Sequence, residues 1–179
     1  MGKNLTVDLL KRRKTLMPLT ATPDFLDENH DHRECVEAAL TAAEELCRRR
    51  SRRLTALRRR VLELVWSGHR PVGAYAVLEM LQTEGRAAPP TVYRALEFLQ
   101  EQGLVHRLAS LNAYVGCIHP GRPHAGQFLI CESCQTLVEL DDRKVTAAIA
   151  GSAGAAGFQV SRQTVEILGR CPRCRKGEP

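Results

Sequence analysis

Residues 89–117 read "PPTVYRALEFLQEQGLVHRLASLNAYVGC", and the hydrophobic period changes once along them. Pro89 and Pro90 suit the first turn of a helix, whose amide hydrogens have no partners within the helix. Val92, Ala95, Leu96 and Leu99 then recur at helical spacing, and Gly103 supplies the stop. That spacing turns Thr91, Tyr93, Arg94, Glu97 and Gln100 outward. After Gly103 the period falls toward two, with one arm over Leu104–Leu108, the turn "ASLN", and a second arm over Ala113–Gly116. Residues 104–117 therefore predict a β-hairpin.

Three helical patterns precede this stretch. Val36, Ala39, Leu40, Ala43, Leu46 and Cys47 form one apolar stripe, and Leu57, Val61, Leu64 and Val65 form a second behind the candidate N-cap Thr55. Pro71 is expected to start a short helix with Ala74, Val77, Leu78 and Leu81 inward, ending near Gly85. A helical series followed by a hairpin is the layout of a winged helix, in which the last helix enters the DNA major groove and the wing approaches the backbone.

Charge agrees with that expectation. The 179-residue chain carries a formal charge of +6, and "RRRSRRLTALRRR" over 48–60 holds eight arginines and no acid. Such a run is often only a solvated surface, but beside a winged helix it suggests phosphate contacts, with Arg58, Arg59 and Arg60 among the candidates. No apolar run approaches 18 residues and no export signal is evident, so a soluble cytoplasmic protein without membrane association is expected. Seven cysteines in such a chain point to reduced thiols and metal rather than to disulfides.

The organisation expected is an α/β protein of four parts. A basic N-terminal extension (1–30) precedes a winged-helix domain (31–117). A hinge (118–127, "IHPGRPHAGQ") then leads to a small α/β dimerisation domain (128–179). Its "FLICESCQTLVEL" gives two strands, "KVTAAIAGSAGAAG" a weak helix, and "FQVSRQTVEILGRC" a final strand. About 50 residues make too small a core to stand without metal or an oligomer.

Cys131-x-x-Cys134 and Cys171-x-x-Cys174 supply the metal. Four thiolates on two tight turns match tetrahedral structural zinc, and the 36 residues between the pairs mean that the metal closes the whole C-terminal unit. A second set comprises His106, Cys117, His119 and His124, with Glu139 on a nearby strand. Singly, each histidine is more often an ordinary polar residue. His106 and Cys117, however, stand at the two base ends of one hairpin, where His124 and Glu139 can join them. Two nitrogens, one sulfur and one carboxylate suit zinc, although the atom types also accommodate iron(II). His119 is an alternative to His124, or a group that supports it, because Gly121 and Pro123 allow either imidazole to turn inward.

"PPTVYRALEFLQEQGLVHR", the wing ending in Cys117, "ICESC" and "VEILGRCPRC" resemble the ferric uptake regulator family, most closely its zinc uptake regulator branch, over about residues 33–174. The resemblance implies a homodimeric repressor that binds double-stranded operator DNA when loaded with two zinc ions per subunit, and no small-molecule substrate. It implies structural zinc on Cys131, Cys134, Cys171 and Cys174, and regulatory zinc on His106, Cys117, His124 and Glu139. It further implies that Tyr93 and Arg94 meet DNA while Tyr75 lies near its backbone. The iron and peroxide branches carry a histidine-rich run before the first Cys-x-x-Cys, where this chain reads "HAGQFLI", and often a histidine where Gln163 stands. The competing readings are an iron or peroxide sensor of the same fold and, in another class, a zinc-dependent enzyme.

Overall fold

The computed structural model describes residues 32–68, 70–85, 88–122 and 124–177. The expected basic extension over 1–30 lies outside them. Two helices open the described chain, α1 (His32–Arg49) and α2 (Ala56–Val65). Thr55 caps α2, its side chain accepting from the Arg58 N–H as its place before the apolar stripe predicts.

Pro71 does not start a helix, contrary to expectation. It leads into a two-residue strand, β1 (Val72–Gly73), and the next helix, α3 (Ala74–Thr83), begins only after it. The two residues of β1 find hydrogen-bonding partners in Tyr114 and Ala113, a long-range pairing with no local signature. Helix α4 (Pro89–Glu101) carries both prolines in its first turn. Gly103 follows it at φ 69°, a left-handed conformation for which glycine is suited, and lets the Leu104 N–H return to the Leu99 carbonyl.

The hairpin consists of β2 (Val105–Leu108) and β3 (Ala113–Gly116), and with β1 it forms a sheet of order β1-β3-β2. The second unit contains β4 (Gly126–Cys131), β5 (Leu137–Leu140), α5 (Arg143–Ala155), β6 (Thr164–Gly169) and the short α6 (Pro172–Arg175). Its sheet has the order β5-β4-β6, with β4 antiparallel to β5 and parallel to β6. The architecture is thus a winged-helix region followed by a small α/β unit. Among the described residues, no helix is long and apolar enough to cross a membrane.

The hairpin is the layer shared by the two units. One of its faces places Val105 and Tyr114 in the main helical core with Val61, Val77, Val92, Leu96 and Leu99, which Leu104, just before β2, also joins. The other face places Leu108 and Val115 against Phe128 and Ile130 of β4, with Leu137 of β5 packed beside them. Alternation along strands produces this two-sidedness, since successive side chains point to opposite faces. Trp66 closes the junction: a Cβ on Gly116 would come within 2.1 Å of its ring, so only glycine fits beneath it in this arrangement.

Candidate metal centres and nucleic-acid face

Two groups of metal-capable side chains assemble among the described residues. In each, the ligand atoms all lie within 4.8 Å of one another.

The first group is Cys131, Cys134, Cys171 and Cys174. Cys131 ends β4, Cys134 follows one turn later, and Cys171 caps α6, which carries Cys174. Cys134 Sγ and Cys171 Sγ are 3.8 Å apart, near the edge of about 3.8 Å expected for a tetrahedron with zinc–sulfur bonds of about 2.3 Å. Backbone N–H groups are aimed at the sulfurs, from Cys171 to Cys131 at 3.4 Å and from Cys174 to Cys171 at 3.5 Å. Burial raises the Cys131 thiol, but N–H groups of Cys171, Cys134 and Ser133 outweigh it and bring the group down to about 6. Hydrogen bonding with Cys171, followed by burial and the other neighbouring thiols, pushes Cys174 up to about 12. Four crowded sulfurs cannot all ionise alone, and a divalent cation removes that conflict.

The second group joins the two units. His106 lies on β2, Cys117 directly after β3, His124 before β4, and Glu139 on β5. His124 Nε2 stands 3.2 Å from His106 Nε2, 3.0 Å from Glu139 Oε1 and 3.5 Å from Cys117 Sγ. His106 Nε2 is also 3.0 Å from Glu139 Oε1. These separations are close to those in a tetrahedral shell with bonds of about 2.0–2.3 Å, so the donor set suits zinc.

Neighbouring groups orient these donors. His124 Nδ1 lies 2.8 Å from the Arg122 carbonyl, which favours the tautomer with Nε2 free to bind metal, and the Ile118 N–H donates to Glu139 Oε2 at 3.3 Å. Burial opposes ionisation of Glu139, yet the hydrogen bond and charge of His106, the Ile118 N–H and His124 leave its carboxyl below the usual range. Burial first, and the charge of Glu139 second, push the Cys117 thiol up to about 12 despite the His119 N–H that stabilises its anion. The His119 ring lies 6.3 Å from that of His124, outside the converging set, and His119 serves this cluster through its backbone.

The outward face of the winged helix carries Thr91, Tyr93 and Arg94 on α4, all exposed, and Tyr75 on α3, which is 72% exposed. Burial first, and the neighbouring Tyr75 second, raise the Tyr93 hydroxyl above its usual range, so the two tyrosines bring α3 and α4 together on one surface.

Residues 49–168 match the signature of the Ferric uptake regulator family. The chain belongs to that family. It is 38% identical over 137 residues to the zinc uptake regulation protein of Escherichia coli (strain K12), a match covering 75% of this chain and 80% of that protein. Among solved structures it is similar to holo XcZur, with 44% identity, TM-score 0.73 and coverage of 78% of this chain and 98% of that one. It is also similar to a zinc uptake regulator complexed with zinc and DNA, with 36% identity, TM-score 0.75 and coverage of 79% and 96%. The likeness therefore falls on the zinc uptake branch of the ferric uptake regulator family, whose members are regulators of transcription rather than enzymes.

Within this family member the arginine run is not a uniform basic surface. The Arg58 guanidinium sits 3.5 Å over the Phe98 ring and donates to the Arg53 carbonyl at 2.7 Å. Arg59 pairs with Glu44 at 3.0 Å, and Arg60 is held by Glu84 and Glu63. All three arginines expected to meet phosphate have partners inside the protein, whereas Arg48, Arg49, Arg52 and Arg53 are exposed. The sequence reading missed these acids because Glu44 and Glu84 come from other helices.

Proposed function

We infer that the protein is a zinc-responsive transcriptional repressor, acting in the cytoplasm, that binds operator DNA as a zinc-loaded homodimer and controls zinc-uptake genes. One observation carries this reading: His106, Cys117, His124 and Glu139, drawn from both units, converge at separations suited to zinc. The thiolate of Cys117 favours zinc over hard cations, and Gln163 in place of the histidine of the iron and peroxide branches weighs against those sensors. Cys131, Cys134, Cys171 and Cys174 are the proposed structural site, giving two zinc ions per subunit.

Bound zinc would supply four directional bonds that hold the base of the hairpin against β5. His106 and Cys117 transmit that constraint to the winged helix, because both are continuous with the hairpin that packs on its core. Arg94 is suited to bidentate contact with a guanine edge, with Thr91, Tyr93 and Tyr75 around it on the DNA-facing surface. A dimer would present two such faces, and its operator affinity depends on their spacing. Moving the dimer from 1% to 99% competent requires about 5.5 kcal/mol of differential zinc binding.

The test is an operator-binding titration against free zinc for the wild type and Cys117→Ser. The substitution is expected to abolish zinc activation while one zinc per chain remains on the four cysteines. Unchanged activation would remove the hinge cluster from the mechanism.

A further inference from the structure

The tip of the hairpin is fastened as well as its base. Glu166 on β6 accepts from the Ala109 N–H at 2.7 Å, from the Ser110 N–H at 3.1 Å and from the Ser110 hydroxyl. These donors are the turn of the wing, 56 and 57 residues away along the chain. An ionised carboxylate accepting several N–H and O–H bonds is among the stronger polar contacts available to a protein.

The position of Glu166 gives this contact its meaning. Phe128 is in register with Glu139 of β5 on one side and with Glu166 of β6 on the other. Residues in register across a sheet share a face, so Glu139, Phe128 and Glu166 form one row beneath the hairpin. Phe128 fills the middle of that row, under Leu108 and Val115. The two carboxylates stand two strand spacings apart, about 10 Å. One reaches the base of the hairpin through the metal cluster, and the other reaches its turn without any metal.

We propose that Glu166 is a positioning residue of the switch: a fastener independent of metal that holds the wing turn on the β5-β4-β6 sheet. A hairpin pinned at its base alone can still pivot about that point. A second pin about 10 Å away along the row removes the pivot, so that closing the base sets the orientation of α4 relative to the sheet. The wing turn, in this arrangement, serves as a lever between the units and not as a contact with the DNA backbone. The proposal rests on the zinc-repressor reading for its functional consequence, while the fastener itself can be observed separately.

The experiment uses the full chain, wild type, Glu166→Gln and Ser110→Ala, with zinc content, operator affinity and amide hydrogen exchange measured on each. In the wild type, the Ala109 and Ser110 amides should be protected whether or not the hinge zinc has been removed. In Glu166→Gln they should exchange rapidly when the hinge zinc is absent. With two zinc ions per chain retained, operator affinity should fall at least about tenfold, the loss expected of a charge-assisted contact. Ser110→Ala loses only the hydroxyl donor and should show a smaller loss, about threefold; it carries the test if Glu166→Gln does not fold. Operator affinity within twofold of wild type in a folded, zinc-replete Glu166→Gln overturns the proposal, as do freely exchanging wild-type amides. If the wild type itself binds operator irrespective of hinge zinc, the zinc-repressor reading fails, and the exchange data still judge the fastener.

Discussion

In the proposed hinge zinc site, Cys117 faces two demands that conflict until a metal arrives. It must be a thiolate to bind zinc, yet burial and the neighbouring Glu139 charge push its thiol up to about 12, so it is neutral near pH 7 when no metal is bound. Glu139 is the reverse case, already ionised because its pKa is lowered. Zinc entry must therefore expel the Cys117 proton, and with a raised thiol pKa the proton competes better as pH falls. Hinge-site affinity should rise by about tenfold per pH unit between roughly pH 6 and 8 from this proton alone. Adding zinc to protein whose four-cysteine site is already filled should release at least one proton per chain into a weakly buffered indicator. Zinc uptake without proton release would mean that Cys117 is not the fourth donor.

Among the elements, α2 uses much of its basic character for contacts inside the protein, while Arg94, the proposed base-contacting arginine, stands on the exposed face of α4. Arg58 over Phe98 fixes α4 on α2, and Arg60, half-buried between Glu63 and Glu84, ties α2 to the end of α3. Replacing either by alanine should lower the unfolding free energy measured in urea, by about 1 kcal/mol or less for the partly exposed Arg60 ion pairs, while leaving the salt dependence of operator binding unchanged. Arg94→Ala should do the opposite, preserving the urea midpoint and weakening operator binding by about 1–3 kcal/mol. A flattened salt slope in Arg60→Ala would return that residue to the phosphate-contacting set. The sequence makes α4 and the hairpin legible because Val92, Ala95, Leu96 and Leu99 keep one period and Leu104–Leu108 keep another. The metal-capable residues are legible as an inventory, since histidine and cysteine are rare and clustered. The partners of Arg58, Arg59 and Arg60, the strand after Pro71, and the Glu139–Phe128–Glu166 row are not, because each depends on which distant element arrives beside it. Period-two alternation places Glu166 on one face of β6, but only the parallel pairing of β6 with β4 puts that face under the wing.

At the scale of the whole molecule, the described residues leave one side of the α/β unit open. β6 is an edge strand, Ile167 and Leu168 on it are 46% and 48% exposed, Phe158 is 68% exposed, and α5 buries no residue of its own. An open, apolar strand edge invites pairing with another chain, and a second copy would cover it while setting two winged helices side by side. Ile167 is the residue with which to test this, because it is in register with Leu129 and points away from the row that carries Glu139 and Glu166. Ile167→Glu therefore disturbs the outer face of the strand and spares both fasteners of the hairpin. It should sediment as a monomer at micromolar concentration with two zinc ions per chain. Its operator affinity should fall roughly 10²-fold or more, since each reading head would then bind without the effective concentration supplied by its twin. A variant that stayed dimeric would move the interface elsewhere on the subunit, and a monomer that kept wild-type affinity would show that the spacing of two heads, through which the hinge metal is proposed to act, is not what the operator reads.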